Sequence, residues 1–174
     1  MSYSLDQFCN DCHDILSNGA TDEGREQIRT RLEKLLVNQD FIKATFSEDM
    51  APGKRVLYHD AASGAYVLAH VQKTKKGGNP HSHGSSWAIY GNIKGFTEMT
   101  EWRRTNGEDE DHAELEVASA YRIGPGQSKA YGPGVIHSTA HPQGAWVIRI
   151  TGCDLDHEPR YRFNPKRDKI LAEA

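Results

Sequence analysis

No run of apolar residues in this chain approaches the roughly 18–20 that a membrane-crossing helix needs, which excludes a helical span. The opening residues, Met1-Ser2-Tyr3-Ser4-Leu5-Asp6, have neither a basic stretch nor an apolar core of the kind that directs export, so a cytoplasmic protein is expected. Cysteine is scarce, at 3 in 174 residues, and in that compartment the thiols are expected to stay reduced. Positive charge is not in surplus either. Lys and Arg number 21 against 24 Asp and Glu, for a formal net charge of −3. With no basic face and no interleaving of aromatic and basic residues, nucleic acid is a poor partner. Internal repeats, linkers and low-complexity segments are missing too, so residues 1–174 are expected to form one domain. At 37% apolar residues the chain can bury a core without a disulfide or zinc staple.

What is present divides into two textures. Residues 1–50 read as helical. Ser4 with Gln7 three positions on has the form of a capping box, and Leu5, Phe8, Cys9, Cys12, Ile15 and Leu16 recur at helical spacing before Asn18-Gly19. A second helix starts near Thr21-Asp22 with an apolar stripe of Ile28, Leu32, Leu35 and Leu36, and a short third piece includes Phe41, Ile42 and Phe46. From Lys54 the chain turns to short strand-like runs: 55–59, 65–72, 87–90, 95–103, 115–123 and 145–150. Gly, Pro, Asn and Asp punctuate them, which points to a sandwich or barrel. The acidic run Glu108-Asp109-Glu110-Asp111 reads as a solvated hairpin loop, and the polar tail 156–174 is expected to pack back over the barrel.

The chemistry gathers at Pro80-His81-Ser82-His83-Gly84-Ser85-Ser86-Trp87. Two histidines one residue apart on an extended segment project from the same side, so their imidazoles can share one metal ion. Gly132-Pro133-Gly134-Val135-Ile136-His137 offers a third imidazole. Cys9-Asn10-Asp11-Cys12-His13 matches the c-type haem attachment string, but both cysteines lie on the helix stripe, where a thiol serves as a small hydrophobe.

The pairing of His-x-His with a later Gly-rich histidine resembles the two halves of the cupin metal site, over roughly residues 52–155. His81, His83, Gly95, Gly126, Gly134 and His137 fall in place; Lys75 stands at the first glycine, Pro133 is displaced by one, and His141 replaces the asparagine. The metal-binding glutamate is missing, with Trp87 or Ala88 at its position. The resemblance implies an all-β fold, the double-stranded β-helix or jelly-roll barrel, preceded here by the helical region 1–50. It also implies one divalent metal on His81, His83 and His137.

Within the cupins, Pro80-His81-Ser82-His83-Gly84 with Trp87, the upstream Arg55-Val56-Leu57-Tyr58 and the downstream Gly152-Cys153-Asp154-Leu155 look like the cysteine dioxygenase-type group. Those enzymes oxidise a thiol to a sulfinate on a three-histidine non-haem iron. Three neutral imidazoles leave the metal its full charge, which suits a ferrous ion taking an anionic substrate and dioxygen side by side. Arg55 sits where that group keeps a carboxylate-binding arginine, and a guanidinium fork clamps such a group bidentately. The group's Ser-x-His-x-Tyr triad is absent: Val147-Ile148-Arg149-Ile150-Thr151 stands there, and in that register Arg149 points at the metal as a second anion clamp.

The expected enzyme is thus a ferrous dioxygenase acting on a small carboxylate-bearing molecule, with Arg149 in the catalytic set and Arg55, Arg149, Trp87 and His141 against the substrate. Blander roles stand beside these: Trp87 as a core anchor, Arg55 as a surface charge, Arg149 on a wet outer face, His141 in an exposed loop, and His70 as a buried core histidine. Zinc, nickel or manganese would instead give a non-redox isomerase or lyase, and a non-catalytic binding module is the third reading. Cupins are often dimers, so a homodimer is compatible.

Overall fold

The computed structural model describes residues 3–108, 110–159 and 161–171. Three helices come first: α1 (Leu5–Leu16), α2 (Asp22–Leu36) and α3 (Gln39–Thr45). Each opens on a side chain that satisfies a first-turn N–H with no partner inside the helix. The Gln7 N–H donates to Ser4 Oγ at 3.2 Å and the Ser4 N–H to Gln7 Oε1 at 2.9 Å, closing the capping box. Thr21 and Asn38 cap α2 and α3. The buried faces are the stripes expected, Phe8, Cys9, Cys12 and Leu16 on α1 and Ile28, Leu32, Leu35 and Leu36 on α2. Each such large aliphatic or aromatic side chain contributes about 1.5–3 kcal/mol on burial. Burial raises both cysteine thiols, Cys9 to about 12, so they pack as hydrophobes.

Nine strands follow among the described residues: β1 (Gly53–His59), β2 (Tyr66–Gln72), β3 (Ala88–Gly95), β4 (Thr97–Arg104), β5 (Glu114–Ile123), β6 (Ser128–Tyr131), β7 (Ile136–Ala140), β8 (Ala145–Thr151) and β9 (Lys169–Leu171). They form two sheets, ordered β1-β2-β8-β3-β6 and β7-β4-β5-β9. Every pairing is antiparallel except β5 with β9. Late β8 inserts between β2 and β3, and β7 lies beside β4, so the chain winds between facing sheets as a double-stranded β-helix. At the corner after β3, Gly95 has φ 65° and a Cβ there would meet the Gly144 carbonyl oxygen at 2.2 Å. Only glycine permits that approach.

The five-stranded sheet is apolar on both faces, and the two faces have different partners. Val67, Ala69, Trp87, Ile89, Ile148 and Ile150 pack against the helices, with the Trp146 ring stacked on Phe46 at 5.2 Å. Ala88, Tyr90, Ala145 and Val147 face inward to Met99, Ile123 and Tyr131. The helices thus form a lid over the outside of one sheet, and the barrel interior is left to polar as well as apolar side chains.

The tail does return to the barrel. Phe163 packs with Leu115, and the Asp168 carboxylate accepts the Ala113 N–H at 2.9 Å. Asp109 of the acidic run lies outside the described residues, as do Arg160 and residues 172–174 of the tail.

Candidate metal centre

His81 and His137 come together through backbone pairing. They form an antiparallel bridge, and the neighbouring Gly134 N–H donates to the Gly84 carbonyl at 3.1 Å. Gly84 has φ 60°, and a Cβ there would meet the Pro159 carbonyl oxygen at 2.3 Å. The glycine after the His-x-His is therefore what lets the tail close over this loop. Glu158 completes the clasp, accepting from both the Ser85 N–H and the Ser85 hydroxyl at 3.0 and 2.7 Å.

The three rings converge. One ligand atom from each of His81, His83 and His137 lies within 4.8 Å of the others. His83 and His137 are buried, at 4% and 1% exposure, and His81 is half-buried. In two of the rings the far nitrogen is already engaged: His81 Nδ1 lies 3.3 Å from the Asn79 carbonyl and His137 Nδ1 3.2 Å from that of Val135. That contact fixes the tautomer and leaves Nε2 as the electron-pair donor. His137 Nε2 is buried with no hydrogen-bond partner, an arrangement that a metal ion resolves. Burial first, and the nearby His81 second, hold the His137 imidazole down to about 4, so it is neutral and needs no proton displaced before it can bind an ion. The donor set and this geometry fit a divalent metal ion.

Around the rings lies a network that the sequence did not reveal. The Tyr90 hydroxyl stands 3.3 Å from His83 Nε2, and the Tyr131 ring stacks on His137 at 5.3 Å. Tyr121 donates to Glu101 Oε1 at 2.5 Å, so the Tyr131 hydroxyl, 2.6 Å away, donates to Tyr121. Burial first, then the bond to Glu101 for Tyr121 and the bond to Tyr121 for Tyr131, raise both phenols well above their ordinary range. Glu101 is directly opposite His137 in the β4–β7 register and therefore shares its face. The available signal was the alternation Thr97, Met99, Glu101 on β4 beside Tyr121 and Ile123 on β5, which places Glu101 on an inward face.

The other expected site residues divide. Arg149 faces the interior: its register partners are Leu68 and Tyr90, and its neighbours Ile148 and Ile150 turn to the helices. His141 is buried there as well, its Nδ1 3.3 Å from Thr97 Oγ1. Arg55 and Trp87 do not join them and lie on the helix side of the sheet. Arg55 pairs with Ala69 on the helix side, and its guanidinium donates to the Thr45 carbonyl of α3. Trp87 is 6% exposed in the helix-side core, its indole against Gly152. Beside His81 a cleft of about 300 Å³ opens, with Lys75, Asn79, Thr139 and Arg162 on its walls.

Fold and cluster together define a β-barrel whose interior holds three histidines that could bind a metal ion. No protein-family model and no curated protein sequence matches the chain. Solved structures do resemble it in fold. A cupin superfamily protein from Desulfitobacterium hafniense superposes over 64% of this chain and 86% of its own at 11% identity and a TM-score of 0.45. A protein with a double-stranded β-helix domain from Klebsiella pneumoniae covers 70% and 92% at 12% identity and 0.42, and KdgF from Halomonas sp. covers 66% and 94% at 16% and 0.44. What the site does therefore rests on its own residues. Among the described residues no helix is long and apolar enough to cross a membrane.

Proposed function

We propose that this protein is a metal-dependent enzyme of the three-histidine type, a ferrous dioxygenase acting on a small organic anion. The observation that carries the reading is the convergence of His81, His83 and His137 on the inward face that also presents Arg149. When bound, a ferrous ion supplies the oxygen chemistry that no side chain offers, with dioxygen as the oxidant and both its atoms entering the product.

The chain's own residues do the rest. Arg149 binds the anion and sets its orientation. Val147, Met99 and the ring of Tyr131 exclude water from the space between the sheets, which strengthens that ion pair. The Tyr131 and Tyr121 hydroxyls keep their protons, and Tyr90 offers a hydroxyl at the His83 ring. Cys9 and Cys12 are buried free thiols on α1, away from this interior.

The test is oxygen consumption by ferrous-loaded protein with a panel of short carboxylic acids, thiol-bearing members included. Uptake that requires both iron and one of these acids is expected. Turnover of an acid without oxygen would replace this reading with a Lewis-acid one, in which zinc, nickel or manganese serves and Glu101 with Tyr121 handles protons. The placement of Glu101 opposite His137 is the observation that favours that second reading. In it, Glu101→Gln lowers kcat by about 10²–10⁴-fold and leaves metal content unchanged.

A further inference from the structure

Among the described residues four buried side-chain nitrogens have no hydrogen-bond partner: His137 Nε2, His70 Nε2, Asn92 Nδ2 and Arg149 Nε. A metal ion accounts for the first. The remaining three come from adjacent strands of one sheet. His70 on β2 and Asn92 on β3 both pair with Val147 on β8, one from each side, and Arg149 follows two residues along β8. All three side chains face the barrel interior around the Val147 side chain. Arg149 is the diagonal neighbour of each, with backbones about 7–8 Å apart, and His70 and Asn92 flank β8 at about 10 Å, a span their side chains narrow toward one small group.

For two of the three, what is lacking is fixed by their chemistry. Asn92 is 0% exposed, and its Oδ1 already accepts the Thr97 hydroxyl at 3.0 Å, so the amide N–H is what remains. Arg149 Nε is a donor by its chemistry. His70 is 7% exposed; burial, and then the Arg149 charge, hold it down to about 3, so it is a neutral imidazole. A buried polar atom left unpaired costs about 1–3 kcal/mol, and three of them on one wall ask for a common partner.

We infer that Arg149, Asn92 and His70 form one carboxylate-binding subsite on the inner wall made by β2, β8 and β3. Two N–H donors, one of them cationic, match the two oxygens of a carboxylate, and the neutral imidazole adds a third donor in the tautomer that carries its proton on Nε2. This rests on the oxygenase reading for one thing only, the identity of the occupant as substrate. Arg149 is paired in register with Tyr90, whose hydroxyl meets His83, so a carboxylate held here leaves the rest of a short molecule against the histidine cluster. The substrate class is then a short-chain carboxylic acid anchored on β8. Its anchor is not Arg55, which faces α3.

The experiment follows the side-chain N–H resonances of Asn92 and Arg149 in ¹⁵N-labelled full-length protein, with and without zinc, during titration with propionate and with propionamide. Saturable shifts of both resonances with propionate and none with propionamide are expected. Propionate affinity should fall about tenfold or more in Asn92→Leu. Because that residue sits in the core, His70→Phe serves as a second variant, and the wild-type resonances need neither. An equal response to the neutral amide, no response at all, or a structure in which ordered water alone bonds the three atoms overturns the inference. Propionate binding with no oxygen uptake from any acid removes the oxygenase and keeps the subsite. Oxygen uptake with KM unchanged in Asn92→Leu does the reverse.

Discussion

His81 and His137 face each other as a hydrogen-bonded pair, each backbone N–H donating to the other's carbonyl at 2.9 Å. The ring centroids are 4.7 Å apart, and each Nδ1 is turned to the carbonyl two residues before it. Two distant segments thus present matching rings by the same local device. The site is built into the sheet before any ion arrives.

Metal binding is therefore expected to stabilise the fold. At an ion concentration about a hundred times Kd the gain is about 2.7 kcal/mol, visible as a higher melting temperature that a chelator reverses. His81→Ala and His137→Ala should each lower affinity by more than the roughly 10–100-fold seen when an outer partner of a ligand is lost. Calorimetric titration with a divalent ion measures it. Melting curves that ignore both ion and chelator would show that the cluster holds no metal.

Trp87 and Gly152 are paired by contact: a Cβ on Gly152 would lie 2.5 Å from the indole nitrogen. That ring is wedged in the helix-side core and is not free to swing aside. Gly152→Ala should destabilise by about 1–3 kcal/mol through overpacking. Trp87→Ala should lose about 3–5 kcal/mol through the cavity it leaves. Denaturant melts give both values. Under conditions where Trp87→Ala remains folded its KM should match the parent, and a large rise in KM would return Trp87 to the substrate pocket.

The two arginines separate the faces of the barrel in the same way. Arg149→Met removes a charged donor from the interior and should raise KM for a carboxylate substrate about 10–100-fold, the loss of one hydrogen bond to a charged group. Arg55→Met removes a bond to the Thr45 carbonyl at α3 and should leave KM unchanged. Steady-state kinetics on the two variants decide, and the opposite pattern would place the anion clamp on β1.

The contrast between these residues shows where the sequence was legible. Local signals survived: the Ser4–Gln7 capping box, the helix stripes, the six clearest strands and the His-x-His pair all follow from spacing along a few residues. Orientation did not. Trp146, Ile148 and Ile150 alternate with Arg149, and either set could have faced inward until α1–α3 were placed over the first. Trp87 and Arg55 each carried two readings for the same reason, because period-two alternation gives two faces without saying which is covered. The Glu101–Tyr121–Tyr131 network and the His70–Asn92–Arg149 wall are assembled from separate strands, so no stretch of chain displays either. Strands β6, β7 and β9 are only 4, 5 and 3 residues long and are interrupted by glycine and proline signals nearby.

Among the ties between the helical lid and the barrel is an ion pair whose strength follows pH in a way that can be worked out. His13 Nδ1 on α1 lies 3.0 Å from Asp60 Oδ1 after β1. Burial alone would raise Asp60, but bonds from the Ser63 hydroxyl and His13, and then the Ser63 N–H, outweigh it and hold the carboxyl down to about 2. The hydrogen bond to Asp60, then its charge, raises His13. A depressed carboxyl stabilises above its unfolded value of about 3.9 and loses that contribution as pH falls toward about 2. A raised imidazole stabilises fully below about 6.5 and loses its share as pH climbs through the folded value. The tie is therefore complete between about pH 4 and 6.5 and weakens on both sides. Thermal melts of the parent and His13→Gln across this range should differ most inside that window and converge at alkaline pH. A difference that stays level from about pH 5 to 9 would mean that the two groups do not pair in solution.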